Sequence, residues 1–122
     1  MLRELQHEHE VIHALLVDPN RTTAETMLDV DDLVECGPVF QVLQDMENQL
    51  SQRTITQVVV RLKRKGQYDR RVIRRILSSD PTLALTHFQW ACEEVKANAK
   101  ELRTYYEALY IVEKYGRSKK IH

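Results

Sequence analysis

The sequence predicts an all-α protein of stacked antiparallel helical hairpins, which together form a short α-solenoid. Only three Gly and three Pro occur in 122 residues and 30% of the residues are charged, so the chain lacks the frequent turns that a sheet needs. Apolar residues recur at helical spacing over most of the chain. A pattern of thirteen residues also occurs twice, at 54–66 and at 104–116, as expected for repeated hairpins.

Length and composition indicate one compact unit, in which acidic helices over residues 1–50 pack on repeats over residues 51–122. The two cysteines, Cys36 and Cys92, are too few for a disulfide scaffold or a four-cysteine zinc site, so we expect buried thiols in a reducing compartment. No apolar run approaches the roughly 20 residues of a membrane span, and the first residues lack the features of a targeting segment. We therefore expect a soluble chain with no membrane span.

The N-terminal part should contain three helical segments. The first spans residues 2–17 and is stopped by the turn-forming residues Asp18, Pro19 and Asn20. A short second segment begins at Thr22 or Thr23, either of which has the hydroxyl of a helix cap, and a third follows the break at Gly37. The apolar stripes are Leu2, Leu5, Ile12, Leu15 and Leu16 in the first and Val39, Val42, Leu43, Met46 and Leu50 in the third.

Residues 52–77 should form a helix, a turn at Gly66 and a second helix, which together make an αα-hairpin. Glycine readily takes the left-handed conformation that ends a helix. The second helix has an apolar side and, about half a turn away, a cationic side. The apolar positions are Ile55, Val58, Val59 and Leu62 before the glycine and Val72, Ile73, Ile76 and Leu77 after it; the cationic side is Arg70, Arg71, Arg74 and Arg75.

Two further helices complete the predicted fold. Asp80 followed by Pro81 is typical of a helix start. A separate last helix should begin near Lys100 and end at Gly116. The buried stripe after Pro81 should be Leu83, Ala84, Phe88, Ala91 and Val95.

Charge is strongly segregated although the chain is neutral overall. Residues 1–50 carry two basic and eleven acidic side chains, whereas residues 51–78 carry nine basic and one acidic. Such a basic block is typical of a protein that binds a polyanion, but an acidic segment of the same chain can also neutralise it. Both interpretations stay open at this point.

The two copies of the thirteen-residue pattern read TITQVVVRLKRKG and TYYEALYIVEKYG. The second copy, together with the preceding phrase LALTHFQWA at 83–91, resembles the pentatricopeptide repeat proteins, whose first helix often reads T-Y-x-x-L and whose second often reads A-L-x-x-F. Residues 80–91 are similar to a phrase common in the plant members. The resemblance covers about residues 52–121 and implies helical hairpins of the pentatricopeptide or tetratricopeptide kind.

This resemblance implies a non-catalytic, organellar protein of mitochondria or plastids that binds RNA or associates with a ribosome, without a cofactor. In that family a polar residue just after the T-Y pair contacts an RNA base, and the matching positions are Thr56 and Tyr106. Tyr106 departs from the small polar residue that is usual there. The resemblance therefore favours a part in a larger ribonucleoprotein over reading of a sequence base by base.

Independently of the family, the basic middle segment predicts contacts with RNA phosphates. Trp90, Tyr105 and Tyr106 could stack on bases, but for Trp90 and Tyr105 we expect core packing. The predicted phosphate contacts are Arg53, Arg61, Lys63, Arg64, Lys65, Arg70, Arg71, Arg74 and Arg75.

One motif points to a different chemistry. His9, Glu10 and His13 match H-E-x-x-H, in which two histidines bind zinc and the glutamate is the general base. A third ligand would have to be Glu25 or Glu35, and no sheet is predicted to align a substrate. Since His9 also lies on the apolar stripe of the first helix, we expect a packed histidine and no metal site.

Three functions thus follow from the sequence. The first is an RNA-binding or ribosome-associated protein that acts through its basic hairpin. The second is a helical adaptor that binds proteins, with the acidic N-terminal region and exposed stripes docking partner helices. The third is a zinc hydrolase built on the H-E-x-x-H motif.

Overall fold

The computed structural model describes residues 5–47, 49 and 53–121, with residues 115–121 as helix backbone only. All regular structure in this part of the chain is helical, which confirms the all-α class, while Leu2 and Leu50 of the predicted stripes lie outside it. None of the described helices has both the length and the apolar character of a membrane span. The helices are α1 (Gln6–Val17), α2 (Gly37–Asp45), α3 (Ile55–Arg64), α4 (Arg70–Ser78), α5 (Thr82–Thr86) and α6 (Phe88–Ile121), with 3₁₀ turns at Ala24–Thr26 and Val30–Asp32.

Helix α1 forms the centre of the fold, because α4, α5 and α6 all pack against it. Its Val11, Ile12 and Leu15 are fully buried; Ile12 and Leu15 belong to the predicted apolar stripe. Helix α2 packs on α3 and contributes Phe40, which is also fully buried. Full burial of one such side chain stabilises a fold by about 1.5–3 kcal/mol, so these contacts join the N-terminal helices to the later ones.

The predicted helix and its terminal turn at Gly66 are confirmed in α3, which also has an N-terminal cap. The Thr54 hydroxyl accepts a hydrogen bond from the Gln57 N–H at 3.3 Å and so caps the helix. Gly66 ends it with a φ of +68°, and the N–H of Gln67 donates to the Leu62 carbonyl at 2.9 Å. A Cβ on Gly66 would meet no atom within 4 Å, so the backbone conformation, not lack of space, favours glycine here.

Helix α4 has the two predicted faces, with one correction. The Asp69 carboxylate caps it by accepting the Arg71 N–H at 2.9 Å. Leu77, predicted on the apolar side, is 45% exposed because it lies one residue, or about 100° of helix rotation, beyond the fully buried Ile76. Its buried residues are Val72, Ile73 and Ile76.

The contacts between helices do not confirm a regular stack of hairpins. Helices α3 and α4 were expected to form one hairpin, but α3 packs mainly on α2 and α4 mainly on α1. The turn at Gly66 therefore joins two helices that pack against different parts of the N-terminal region. The acidic residues 1–50 thus contain the helices against which the basic segment packs.

The helix predicted to follow Asp80 has different bounds. The Asp80 carboxylate accepts hydrogen bonds from the N–H and the hydroxyl of Thr82, at 3.0 and 2.6 Å, and these bonds lower the pKa of its carboxyl group. Only the short α5 begins there, and the chain bends at His87 before α6. Leu83, predicted on a continuous buried stripe, is 41% exposed because the bend interrupts that stripe.

The second copy of the thirteen-residue pattern does not form a separate helix. Helix α6 continues through it, so Thr104 and Gly116 lie inside the helix and the predicted start near Lys100 and end at Gly116 are wrong. Residues 88–115 contain no Gly or Pro, so nothing local breaks the helix. A single helical glycine costs only about 1 kcal/mol relative to alanine, which does not force an end.

Candidate nucleic-acid interface

Helix α4 presents a row of arginines on the side opposite its buried residues. Arg70, Arg71 and Arg74 are exposed, and with Arg75 they line an open groove of about 440 Å³. The i, i+1, i+4 spacing that predicted a cationic face therefore places the guanidinium groups of Arg70, Arg71 and Arg74 on one surface, which we call the arginine face. Guanidinium groups bind phosphate oxygens in a fixed bidentate geometry.

Arg75 differs from the other three because it is bound to a carboxylate. Its Nη1 donates to Glu35 Oε1 at 2.6 Å, and its side chain is 38% exposed. The same Glu35 oxygen lies 3.3 Å from His9 Nε2. A second groove of about 450 Å³, lined in part by His9, Arg74 and Arg75, adjoins this contact. Arg75 thus marks the edge of the arginine face.

Arg53, a predicted phosphate contact, is inside the protein. The side chain is 2% exposed, and its Nη2 donates to the carbonyl oxygens of Leu15, Asp18 and Arg21 at the end of α1 and beyond it. Burial lowers the pKa of this guanidinium, although nearby carboxylates such as that of Glu47 oppose the effect. Arg53 therefore ties the start of α3 to the end of α1, and its donors face the chain and not a ligand.

Among the basic residues of α3 and its terminal turn, Lys63, Arg64 and Lys65 are exposed and Arg61 is half-buried, and several of them contact other side chains. Lys65 Nζ lies 2.8 Å from Asp45 Oδ2, a hydrogen bond that lowers the pKa of the Asp45 carboxyl group. Arg61 donates to the side chain of Gln49 at 3.0 Å. Lys63 Nζ lies 5.0 Å from the centre of the Tyr68 ring, a cation–π contact. Arg64 and Thr56 are exposed.

Most acidic side chains of the N-terminal region bind groups other than the basic segment. Glu8, which is 2% exposed, accepts hydrogen bonds from the backbone N–H groups of Val34, Glu35 and Cys36 at 3.0, 2.7 and 2.6 Å. Glu47 accepts two hydrogen bonds from Thr23. The partners of Asp32 include Arg103 and Lys96 in α6, at 3.4 and 4.0 Å.

In the described residues, the N-terminal carboxylates neutralise only part of the basic segment. Only two cations of the basic segment, Lys65 and Arg75, form ion pairs with N-terminal carboxylates there. Within the same residues, Arg70, Arg71 and Arg74 form no ion pair. The arginine face keeps its charge available to a ligand.

The aromatic residues are more exposed than predicted. Trp90 and Tyr105, expected in the core, are 43% and 59% exposed, because the described part of the chain covers their faces of α6 only partly or not at all. The rings of Trp90 and His7 pack in a T-shaped arrangement with centres 5.2 Å apart and planes at 82°, and Tyr105 packs on Tyr106. Neither Tyr106 nor Thr56 lines the arginine groove, so the structure does not join the two predicted base-reading positions to it.

The H-E-x-x-H residues are used in packing. His9 is buried as predicted and lies against Glu35, while His13 Nδ1 lies 2.8 Å from the Ser79 carbonyl oxygen, as a donor to it. Glu10 lies 3.8 Å from His7, and Glu25 is exposed on the first 3₁₀ turn. No group of three or more His, Cys, Asp or Glu side chains in the described residues is placed to hold a metal ion.

Both cysteines are buried, as the sequence predicts. Burial, reinforced by the Glu8 and Glu35 carboxylates, raises the pKa of the Cys36 thiol far above its ordinary value. Burial also raises the pKa of Cys92, to about 12. Both thiols therefore stay protonated at neutral pH, and neither has the thiolate character of a reactive cysteine.

Sequence reasoning missed the residues that build this framework. The sequence pattern predicts for Glu8 only an acidic charge and for Glu35 a candidate metal ligand, because their partners lie more than 25 positions away. The signal available in the sequence was the position of Glu8, a carboxylate at helical spacing between Leu5 and Ile12 on the apolar stripe of α1.

Comparison with known proteins adds no relative: no family model matches the chain, and neither the curated proteins nor the solved structures give a significant match.

Proposed function

We propose that this protein binds RNA without catalysis, through contacts between RNA phosphates and the arginine face. The observation that supports this proposal is the exposure of Arg70, Arg71 and Arg74 on one side of α4, without an ion pair among the described residues. A row of guanidinium groups on a rigid helix suits phosphate binding because the helix fixes their spacing. Helix α4 is held by its buried side and by the Asp69 cap.

The proposal does not include reading of RNA one base at a time. Thr56 and Tyr106 lie on different helices, and only the first copy of the pattern forms a capped helix. Phosphate binding carries little sequence information by itself. The protein would therefore act as a subunit or adaptor that holds RNA in a larger ribonucleoprotein, such as a ribosome. The resemblance to pentatricopeptide proteins is the support for a mitochondrial or plastid location.

Charge reversal of the arginine face tests the proposal. We expect the triple change Arg70→Glu, Arg71→Glu and Arg74→Glu to abolish binding of single-stranded RNA in an equilibrium assay at several salt concentrations. The Arg-to-Lys triple variant should retain most of the affinity. An Arg-to-Ala triple variant, which removes the three charges without adding acidic ones, should lower the salt slope by about 2, at about 0.7 per phosphate contact. Arg75 is left unchanged because an acidic residue there would face Glu35.

A control variant separates this effect from loss of net charge. Lys100→Glu changes the charge of one exposed residue on α6 by the same amount as Arg74→Glu does on α4. We expect Arg74→Glu to weaken RNA binding and Lys100→Glu to leave it almost unchanged. Equal affinity of the charge-reversal triple variant and the unchanged protein would refute the proposed function.

A protein-binding adaptor is the second candidate, and one observation favours it. Large apolar side chains in the second half of α6 are exposed, among them Tyr110 and Val112 at 64% and 67%. Exposed apolar stripes of this kind usually mark contacts with another protein. The zinc hydrolase has the least support, since His13 contacts the Ser79 carbonyl; stoichiometric zinc in purified protein would revive it.

A further inference from the structure

The second half of α6 is an amphipathic helix without a cover in the described chain. In the first half Phe88, Ala91 and Val95 are buried against the rest of the fold. All residues from 103 to 114 are exposed, although this segment contains six large apolar side chains. They are Tyr105, Tyr106, Leu109, Tyr110, Ile111 and Val112.

Four of the apolar residues in and beside this segment follow the spacing of a coiled coil. Leu102, Tyr105, Leu109 and Val112 are separated by three, four and three residues, which is the a, d, a, d pattern of a heptad repeat. The same register begins with Phe88, Ala91 and Val95 in the buried half. Between Val95 and Leu102 the register position is the polar Asn98, after which the apolar stripe resumes. We call the residues Leu102, Tyr105, Leu109 and Val112 the α6 seam.

We propose that two copies of this chain associate through the α6 seam as an antiparallel helix pair. In an antiparallel coiled coil an a residue of one helix lies level with a d residue of the other. Centred on residue 107, this arrangement sets Leu102 of each copy against Val112 of the second copy. It also sets Tyr105 against Leu109 of the second copy. One alignment therefore covers the whole seam with apolar layers.

The charges and the small residues of the segment are compatible with a second copy as the occupant. Residues 100–114 carry three basic and three acidic side chains, so two copies meet without net repulsion and the segment has no net attraction for a polyanion. In the antiparallel alignment Glu113 lies about 3 Å along the axis from the level of Arg103 of the second copy. Ala108 flanks the seam near its centre and allows the helices to approach closely.

A parallel pair satisfies these residues less well. Each seam residue would then face the same residue of the second copy, so the two Tyr105 rings would meet at one level. The residue facing Glu113 across the flank would be Ala108, which offers it no positive charge. The antiparallel arrangement also sends the two globular parts to opposite ends of the seam.

Sedimentation velocity of the full chain, freed of nucleic acid, tests the association. We expect a dimer at micromolar concentration and a monomer for Leu109→Glu, which places two charges in the seam. Ile111→Glu is the matched control, because Ile111 is 52% exposed but points away from the seam in the same register. A monomeric unchanged protein at high micromolar concentration, or a Leu109→Glu variant that remains dimeric, would overturn the proposal.

A distance measurement tests the orientation. A spin label on Glu101→Cys, an exposed position that flanks the seam, should give an interlabel distance of about 21 Å in the antiparallel pair. The two positions then lie 12 residues, or about 18 Å, apart along the axis and about 10 Å apart across the helices. A parallel pair would bring the labels to the same level, roughly 10 Å apart. The native Cys36 and Cys92 are buried and leave the introduced thiol as the reactive one. The shorter distance would refute the antiparallel arrangement.

Discussion

Residues 54–66 and 104–116 carry the same thirteen-residue pattern, yet they have different structures. The first copy is a helix capped by Thr54 and ended by Gly66, with Val58 and Leu62 in the core. The second is an exposed stretch within α6, in which neither Thr104 nor Gly116 marks an end. The residues on either side of the pattern therefore decide whether it forms a separate helix or part of a longer one.

The flanking residues of the two copies show how this happens. Arg53 precedes the first copy and is buried against the carbonyl oxygens of Leu15 in α1 and of Asp18 and Arg21 beyond it, which fixes the start of the copy on this region. Arg103 precedes the second copy, is 54% exposed and contacts Asp32 from within a continuing helix. After Gly66 the Asp69 cap starts a new helix, whose apolar side packs on α1. Only the first copy has anchors at both ends.

The largest predicted difference concerns the two arginines. We expect Arg53→Ala to lower the free energy of unfolding by about 3 kcal/mol, because it leaves several buried carbonyl groups without their charged donor. Arg103→Ala should cost less than about 1 kcal/mol, as is usual for an exposed ion pair. Urea denaturation followed by circular dichroism measures both. Equal costs would show that Arg53 does not anchor the first copy.

The two glycines provide the next contrast. Gly66→Ala should destabilise the fold by about 1–2 kcal/mol, since alanine at a φ of +68° is strained. Gly116→Ala should not destabilise it and should increase the helical signal, because alanine favours a helix by about 1 kcal/mol over glycine. Thermal unfolding and far-ultraviolet circular dichroism of both variants provide the measurement. A loss of stability in Gly116→Ala would indicate that α6 ends there after all.

The two threonines should differ by a smaller amount. Thr54→Ala removes the hydroxyl that accepts the Gln57 N–H and should cost about 1 kcal/mol. Thr104 donates its hydroxyl to the Lys100 carbonyl within the helix, so Thr104→Ala should be neutral or slightly stabilising. The midpoints of denaturant unfolding distinguish the two results, provided that the slope of unfolding free energy against denaturant concentration is unchanged. Thr54→Ser, which keeps the hydroxyl, should recover most of the lost stability.

The smallest effect is a pH dependence at the end of the first copy. The hydrogen bond from Lys65 lowers the pKa of Asp45 in the folded state below its ordinary value of 3.8, so its contribution is present above that value and is lost as pH falls through the folded pKa. Both side chains are more than 40% exposed, so the contribution should stay below about 0.5 kcal/mol. Between pH 6 and pH 2, the free energy of unfolding of Asp45→Asn should decrease slightly less than that of the unchanged protein. Identical profiles would exclude this contribution.

Local spacing predicted several elements correctly. The apolar positions of α3, those of α4 except Leu77, and the turn at Gly66 follow from side chains a few residues apart and are observed. The exposed arginine face of α4 also followed from spacing. The burial of Arg53 did not, because its acceptors lie 32 to 38 positions away in the sequence.

The sequence by itself determined the helical class, the two-sided character of α4 and the charge of its exposed side, because these depend on helical periodicity and composition. Tertiary structure alone decided which charges remain on the surface: Glu8 and Arg53 satisfy buried backbone groups, while Arg70 and Arg74 stay exposed. It also decided that one copy of the repeated pattern became a unit and the other a continuous helix. A short pattern fixes a helix face, whereas contacts between distant segments fix where the helix ends and what covers it.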